Sequence, residues 1–180
     1  PRELRLLKDG DPKKPNEVVA PGHLTVVPKL VTPIAPPPAS SKTTTLRLQL
    51  AKWIANRENP LTPRVMVNRL WQHHFGKAIV HSPNNFGFRG AAPTHPKLLD
   101  WLAAELLEGD WKLKRIHKMI VMSAAWQQSS IHPKQAEYQQ VDSENHRLWR
   151  ANRRRMDAEA LRDALLSASG QIDLRVGGPS

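Results

Sequence analysis

The chain of 180 residues is strongly basic, with 27 lysines and arginines against 16 acidic residues, a formal net charge of +11 and no cysteine. Its length suffices for one domain with a hydrophobic core, and no apolar run reaches transmembrane length. Because there is no thiol, a disulfide framework, a cysteine zinc site, a thiol nucleophile and covalent c-type haem attachment are excluded within this segment. The charge favours anionic partners such as nucleic acid, phospholipid or acidic polysaccharide, although a basic domain balanced by acidic regions of a longer chain is the simpler explanation.

Residues 1–42 are predicted to form a proline-rich extended arm. Nine of the sixteen prolines lie there, and proline fixes φ and removes a backbone donor, so this segment is not helical. Short edge strands are predicted at residues 18–19 and 24–27, and residues 36–41 are typical of an extended linker.

Two helices joined by a short turn are predicted next. The first runs from about residue 44 to 56, and its apolar stripe consists of Leu46, Leu50, Trp53 and Ile54. The second begins with Thr62 as a hydroxyl cap and Pro63 at the first helical position. It ends at Gly76, which is free to adopt the left-handed conformation. Helical spacing predicts an apolar face made of Val67, Leu70, Trp71, His74 and Phe75.

Three further helices are predicted after a turn-rich loop at residues 83–90. The third opens at residues 94–96 and ends at Gly109, and the fourth, which is basic, spans residues 112–123. Residues 124–146 form a long polar excursion. The fifth helix follows Asn152, ends at Gly170 and has an inward stripe of Leu161, Ala164, Leu165 and Ala168. The predicted class is therefore mainly α, an irregular bundle of about five helices over residues 43–180 that is truncated at its C-terminal end.

The eight histidines show no metal-binding pattern. No pair has the i, i+4 spacing of a helical zinc site, and the adjacent His73 and His74 point about 100° apart. We therefore predict no metal site, and we place His74 at the edge of the core. No nucleophile elbow and no glycine-rich phosphate loop is present either.

A candidate site is predicted where the polar face of the second helix meets the loop at residues 84–90. Arginines with one histidine suit an anionic ligand. Four residues of the same cluster, Arg64, Asn68, Arg153 and Asp157, suit a structural role, in which a buried polar lattice stabilises the domain. The residues of this polar cluster are Arg64, Asn68, Arg69, His117, Arg153 and Asp157.

A second, alternative site is predicted in the arginine-rich stretch before the last helix. Arginines can bind phosphate and a tryptophan among them can stack a base, which indicates a nucleic-acid or polyanion-binding module. The acids that follow can instead neutralise those arginines in the first turns of the helix. The residues concerned are Arg147, Trp149, Arg150, Arg153, Arg154 and Arg155.

Several long motifs resemble a planctomycete-type domain of unknown function, the DUF1553 or PSD1 family. They are LAKWIANRENPLTPRVMVNRLWQHHFGKAIVHSPNNFGFRG, WKLKRIHKMIVMSAAWQQSS and NHRLWRANRRRMDAEALRDALLSASG, in that order. The family more often has Ala at Pro63, Asp at Asn85 and Tyr-Arg at residues 126–127. The missing acid at Asn85 would matter if that loop were catalytic.

The resemblance implies a domain near the C-terminal end of a large exported protein that often carries a cytochrome-c-like domain upstream. It implies upstream domains of the same polypeptide as partners, and any haem would lie there, with no cofactor in this chain. A redox or polysaccharide-related role is the leading hypothesis. The alternatives are a polyanion-binding module, for which nucleic acid is the less favoured ligand, and a purely structural packing domain. The resemblance assigns no catalytic residue.

Overall fold

The computed structural model describes residues 4–25, 27–31, 34–38, 40–175 and 177. The predicted mainly α class is confirmed, because α-helices and a small antiparallel sheet in the arm account for the regular structure. The helices are α1 (Leu46–Ile54), α2 (Leu61–Phe75), α3 (Pro96–Glu108), α4 (Leu113–Val121), α5 (Gln135–Val141) and α6 (Ala158–Ala168). In the described part of the chain, no helix is both long and apolar enough to cross a bilayer.

The arm forms a two-stranded hairpin. Strand β1 (Arg5–Leu7) pairs antiparallel with β2 (Pro15–Val18), so the strand predicted at residues 18–19 begins earlier and ends at Val18. The strand predicted at residues 24–27 is not formed at residues 24, 25 and 27, and residue 26 lies outside the described residues. Prolines flank that stretch at positions 21 and 28, and each removes a donor that a ladder would need.

Helices α2, α3 and α4 enclose the hydrophobic core. The predicted apolar face of α2 is buried, with Val67 fully inaccessible and Trp71 stacked on Phe75 at a ring-centroid distance of 4.1 Å. The spacing of apolar residues on α3 and α4 buries their stripes in the same way. The core residues are Val67, Leu70, Trp71, Phe75, Ile79, Val80, Leu99, Leu102, Ala103, Leu106, Ile116 and Ile120.

The burial of α1 and α6 differs from the sequence-based expectation of inward apolar stripes. Neither α1 nor α6 contains a buried residue, and the predicted inward stripe of α6 leaves Leu165 64% exposed. Amphipathic spacing predicts a helix but not which neighbour covers it. The arm contacts the α1 stripe, where His23 stacks on Trp53 at a ring-centroid distance of 5.9 Å. The polar excursion at residues 124–146 also contains the short helix α5, which has no buried residue and no apolar stripe to reveal it.

The start of α2 also differs from the prediction. Thr62 does not cap the helix, because its hydroxyl donates to the carbonyl oxygen of Ile54 at 2.7 Å. Instead the buried Asn59 accepts from the backbone N–H groups of Leu61 at 3.0 Å and of Thr62 at 3.4 Å. Asn59, which precedes the N-cap residue Pro60, therefore satisfies the first N–H groups of α2, and Thr62 ties α2 to the end of α1.

Asn68 fixes the chain that leaves α2. Its side chain is fully buried in the core. The amide nitrogen donates to the carbonyl oxygen of Val80 at 3.1 Å, and the amide oxygen accepts from the N–H of Val80 at 2.8 Å. Residues 78–80 have no regular structure, so the asparagine supplies the two bonds that a strand partner would otherwise provide.

We expect Asn68→Ala to lower the free energy of unfolding by about 2–4 kcal/mol, because the N–H and carbonyl groups of Val80 would stay buried without partners. Chemical denaturation monitored by tryptophan fluorescence measures the loss. Gln72→Ala, one turn further along α2, is the control and should change stability by less than about 0.5 kcal/mol. Equal stability of the two variants would contradict the role assigned to Asn68.

Candidate functional site

The C-terminal end of α2 is enclosed by polar side chains from residues 145–154. The buried Asn145 donates to the carbonyl oxygen of Arg150 at 2.8 Å and to Oδ1 of Asn152 at 2.9 Å. Asn152 in turn donates to the carbonyl oxygen of Phe75, the last residue of α2, at 3.0 Å. Because the final carbonyls of a helix lack intrahelical partners, these amides satisfy the helix end and fix the segment that follows α5.

Arg154 also binds this helix end. Its guanidinium donates to the carbonyl oxygen of His73 at 2.9 Å, and its stem lies against Gly76. Gly76 has φ of 78° and ends α2 as predicted. A Cβ at Gly76 would approach Cδ of Arg154 to 2.6 Å, so both the backbone conformation and the close contact require glycine. A cation at the helix C-terminus is electrostatically favourable.

A histidine pair lies beside this end of α2. Nε2 of His74 and Nδ1 of His117, on α4, are 2.7 Å apart, so the two rings share one N–H···N hydrogen bond. Partial burial, the His117 ring, the Arg154 guanidinium and His73 lower the pKa of His74 from its ordinary value of 6.5. The ring of Trp126 meets His74 edge to face, with centroids 5.1 Å apart.

The three predicted site residues on α2 each have a separate partner. Arg64 donates to the carboxylate of Asp100 on α3 at 2.7 Å. Asn68 binds the backbone of Val80, as described above. Arg69 is exposed and donates to the side-chain oxygen of Asn84 at 2.8 Å, in the loop where a site was predicted. These contacts join α2 to three different parts of the fold.

The proposed buried lattice of Arg64, Asn68, Arg153 and Asp157 is wrong. Asn68 alone is buried among the four, whereas Arg64 is half-buried and Arg153 and Asp157 are exposed. Asp157 is the N-cap of α6 and accepts from the backbone N–H of Ala160 at 2.7 Å. Local helix capping therefore uses the carboxylate that the lattice required.

A polar cleft of about 340 Å³ lies between α5 and the arginine-rich segment. Arg153 lines it and makes no hydrogen bond or ion pair with any described residue. Glu144 is the acidic residue in the lining, and Lys77 binds its carboxylate at 2.8 Å. The remaining polar groups are hydroxyls and amides, and the complete lining consists of Lys77, Ser130, Gln135, Gln139, Ser143, Glu144, Arg150, Asn152 and Arg153.

Trp149, predicted as a stacking platform, is packed among its neighbours. Its indole N–H donates to the carbonyl oxygen of Asp142 at 3.0 Å. The guanidinium carbon of Arg150 lies 5.0 Å from the ring centroid, and the rings of Tyr138 and His132 meet it at steep angles. A cation–π contact and two edge contacts thus cover part of the ring, and the indole also lines a groove with Arg147 and Tyr138.

The predicted basic residues are divided among several surfaces. Arg150 and Arg153 line the polar cleft, Arg154 caps α2, and Arg147 lies beside Trp149 in a separate groove. Arg155 is exposed. Among the described residues, no cluster of three or more metal-ligating side chains occurs.

Sequence reasoning missed the residues that connect distant parts of the chain. Asn145 and Asn152 are single polar residues in a loop, and nothing in their spacing indicates that they reach α2. His74 was placed at the edge of the core without its bond to His117. The tryptophan, two histidines and phenylalanine within residues 71–75 are the feature of the sequence that points to this corner of the fold.

The chain belongs to the PSD1 family, described as a protein of unknown function (DUF1553), whose family model matches residues 46–180. The match begins at α1 and confirms the resemblance found in the motifs. Neither the curated proteins nor the solved structures gave a match.

Asp157→Ala is expected to cost about 1 kcal/mol of α6 stability, because the exposed carboxylate caps that helix. Asp157→Asn is the matched control, since asparagine caps equally well. Hydrogen exchange of the α6 amides measures both variants. A loss above about 3 kcal/mol would instead indicate that Asp157 is the partner of a buried charge.

Proposed function

We propose that this domain binds an acidic polysaccharide, with the polar cleft between α5 and residues 143–153 as its binding site. The observation that carries the proposal is Arg153, a cation in a concave site without an ionic partner among the described residues. The neighbouring acid, Glu144, is already bound by Lys77. A ligand with sulfate or carboxylate groups would supply the missing negative charge.

The chemistry of the lining supports a glycan rather than nucleic acid. Hydroxyl and amide side chains such as Ser130, Gln135 and Gln139 can donate to and accept from sugar hydroxyls. A volume of about 340 Å³ lies within the range of small-molecule sites. Base stacking would need an open aromatic face, and Arg150 already lies over the ring of Trp149.

The proposal also concerns the larger polypeptide to which this domain would belong. The resemblance to PSD1 proteins supports a place near the C-terminal end of a large exported polypeptide with a cytochrome-c-like domain upstream. The present chain has no cysteine, so its residues do not fit covalent attachment of a c-type haem. Any redox chemistry would then belong to the upstream domain, and the cleft described here would hold or present the glycan.

Arg153→Ala should weaken binding of heparin, an acidic polysaccharide, about five- to tenfold at low ionic strength. It should also reduce the slope of log K against log salt by about one, since one ionic contact is lost. Titration calorimetry over a series of salt concentrations measures both quantities.

Arg47→Ala is the charge-matched control, because Arg47 is exposed on α1 and does not line the cleft. It should change heparin affinity by less than about twofold. An equal loss in both variants would mean that net charge alone attracts the polymer. Tighter binding of generic duplex DNA than of heparin would favour the nucleic-acid alternative.

The coding sequence upstream of Pro1 tests the wider context. We expect an export signal and a Cys-x-x-Cys-His haem-attachment motif, since that motif provides the covalent c-type attachment that this segment lacks. An upstream region that encodes a plain cytosolic domain would overturn the exported, haem-linked part of the proposal.

A further inference from the structure

A second cavity, of about 210 Å³, lies at the C-terminal end of α2 and is distinct from the polar cleft. Three segments form its walls: the end of α2, the turn after α4 and residues 151–154. Its apolar surface comes from Phe75, Trp126 and two alanines. The complete lining is His74, Phe75, Ala125, Trp126, Ala151, Asn152 and Arg154.

The charged group of this cavity is cationic. Arg154 uses one N–H to bind the carbonyl oxygen of His73, and it makes no ion pair with any described residue. No carboxylate lines the cavity. The Arg154 charge therefore lies beside an apolar, aromatic-walled surface with no carboxylate in the lining, so an anion bound there would gain a charge-assisted hydrogen bond.

His74 adds a second group that favours an anion. Its Nε2 is engaged with His117, and its Nδ1 has no hydrogen-bond partner among the described residues. The pair can take up one proton and keep its N–H···N bond, because one ring then donates and the other still accepts. The other charged or titratable groups around His74 are Arg154, His73 and His117.

We propose that this cavity binds a small carboxylate carried on an apolar body. Arg154 and His74, whose ring is bound by His117 from outside the cavity, face the carboxylate, and Phe75 and Trp126 pack against the apolar part. The volume exceeds the roughly 150 Å³ that holds a benzene-sized molecule in a protein interior, so an aromatic or short branched carboxylic acid fits. The proposal uses none of the cleft residues that would hold the glycan except Asn152, whose amide nitrogen is bound to Phe75.

The affinity of this site should depend on pH in a definite direction. In the free protein the pKa of His74 lies below its ordinary value, because of partial burial, His117, Arg154 and His73. A bound carboxylate favours the charged imidazolium and raises that pKa. Binding is therefore coupled to proton uptake, so affinity rises as the pH falls while the ligand carboxylate stays ionised.

Benzoate is the probe for the test, with the protein's tryptophan indole N–H signals followed by NMR. We expect a Kd of about 1 mM or tighter and a shift of the Trp126 signal. Affinity should rise about three- to tenfold between roughly pH 7.5 and 5.5. Neutral benzamide, which has the same shape, should bind at least about tenfold more weakly, because it cannot offset the Arg154 charge.

Two variants separate the site from a general effect on folding. Ala151→Leu fills the cavity without removing a charge and should abolish benzoate binding while the protein still unfolds cooperatively. His74→Gln should weaken benzoate binding about threefold or more at roughly pH 5.5 and remove its pH dependence, and the control His132→Gln, outside the cavity, should change neither the affinity nor the pH dependence. Absence of binding at about 10 mM benzoate, equal binding of benzamide, or full binding to Ala151→Leu would overturn the proposal.

Discussion

The fully buried amide of Asn68 is the constraint on which the rest of this fold depends. It lies in the middle of α2 and holds both polar groups of Val80, so the chain must turn back along the helix as soon as α2 ends. That return leaves Ile79 and Val80 buried in the core with residues of α2, α3 and α4. It also places Thr94, which binds the carbonyl oxygen of Ile79 at 2.9 Å, immediately before α3 begins. One polar side chain thus sets the relative position of the two longest helices.

The same demand for backbone partners shapes the candidate sites. The last turn of α2 presents carbonyl groups that nothing within the helix can satisfy, and Asn152 and Arg154 supply the donors from 77 and 81 residues away. Their positions bring the arginine-rich segment against α2. The cavity beside His74 and the polar cleft with Arg153 both adjoin this junction, since Asn152 lines each of them. Both sites are therefore consequences of how one helix end is capped.

Local patterns in the sequence predict local structure well. The face of α2 from Val67 to Phe75 and the stop at Gly76 follow from spacing and from one glycine, and both are confirmed. The sequence does not predict contacts between distant residues. Asn152 and Phe75 are 77 positions apart, and the bond between His74 and His117 spans 43. The lattice prediction was wrong for a related reason, since it treated Asp157 as a partner for distant arginines when the adjacent backbone of α6 was already available.

The arginines that contribute to the net charge of +11 have different roles. Arg64 and Arg115 are paired with carboxylates on α3, and Arg57 and Arg154 bind carbonyl oxygens at the ends of α3 and α2. Arg57, Arg64 and Arg115 stabilise the bundle and contribute little to attraction of a ligand. Arg153 makes no hydrogen bond or ion pair with a described residue. It lies in a concave site, on a segment that the side chains of Asn145 and Asn152 hold in place. Composition alone does not distinguish structural arginines from binding arginines, but the contacts of each guanidinium do. For this reason the polysaccharide-binding hypothesis rests on Arg153 and not on the whole basic surface.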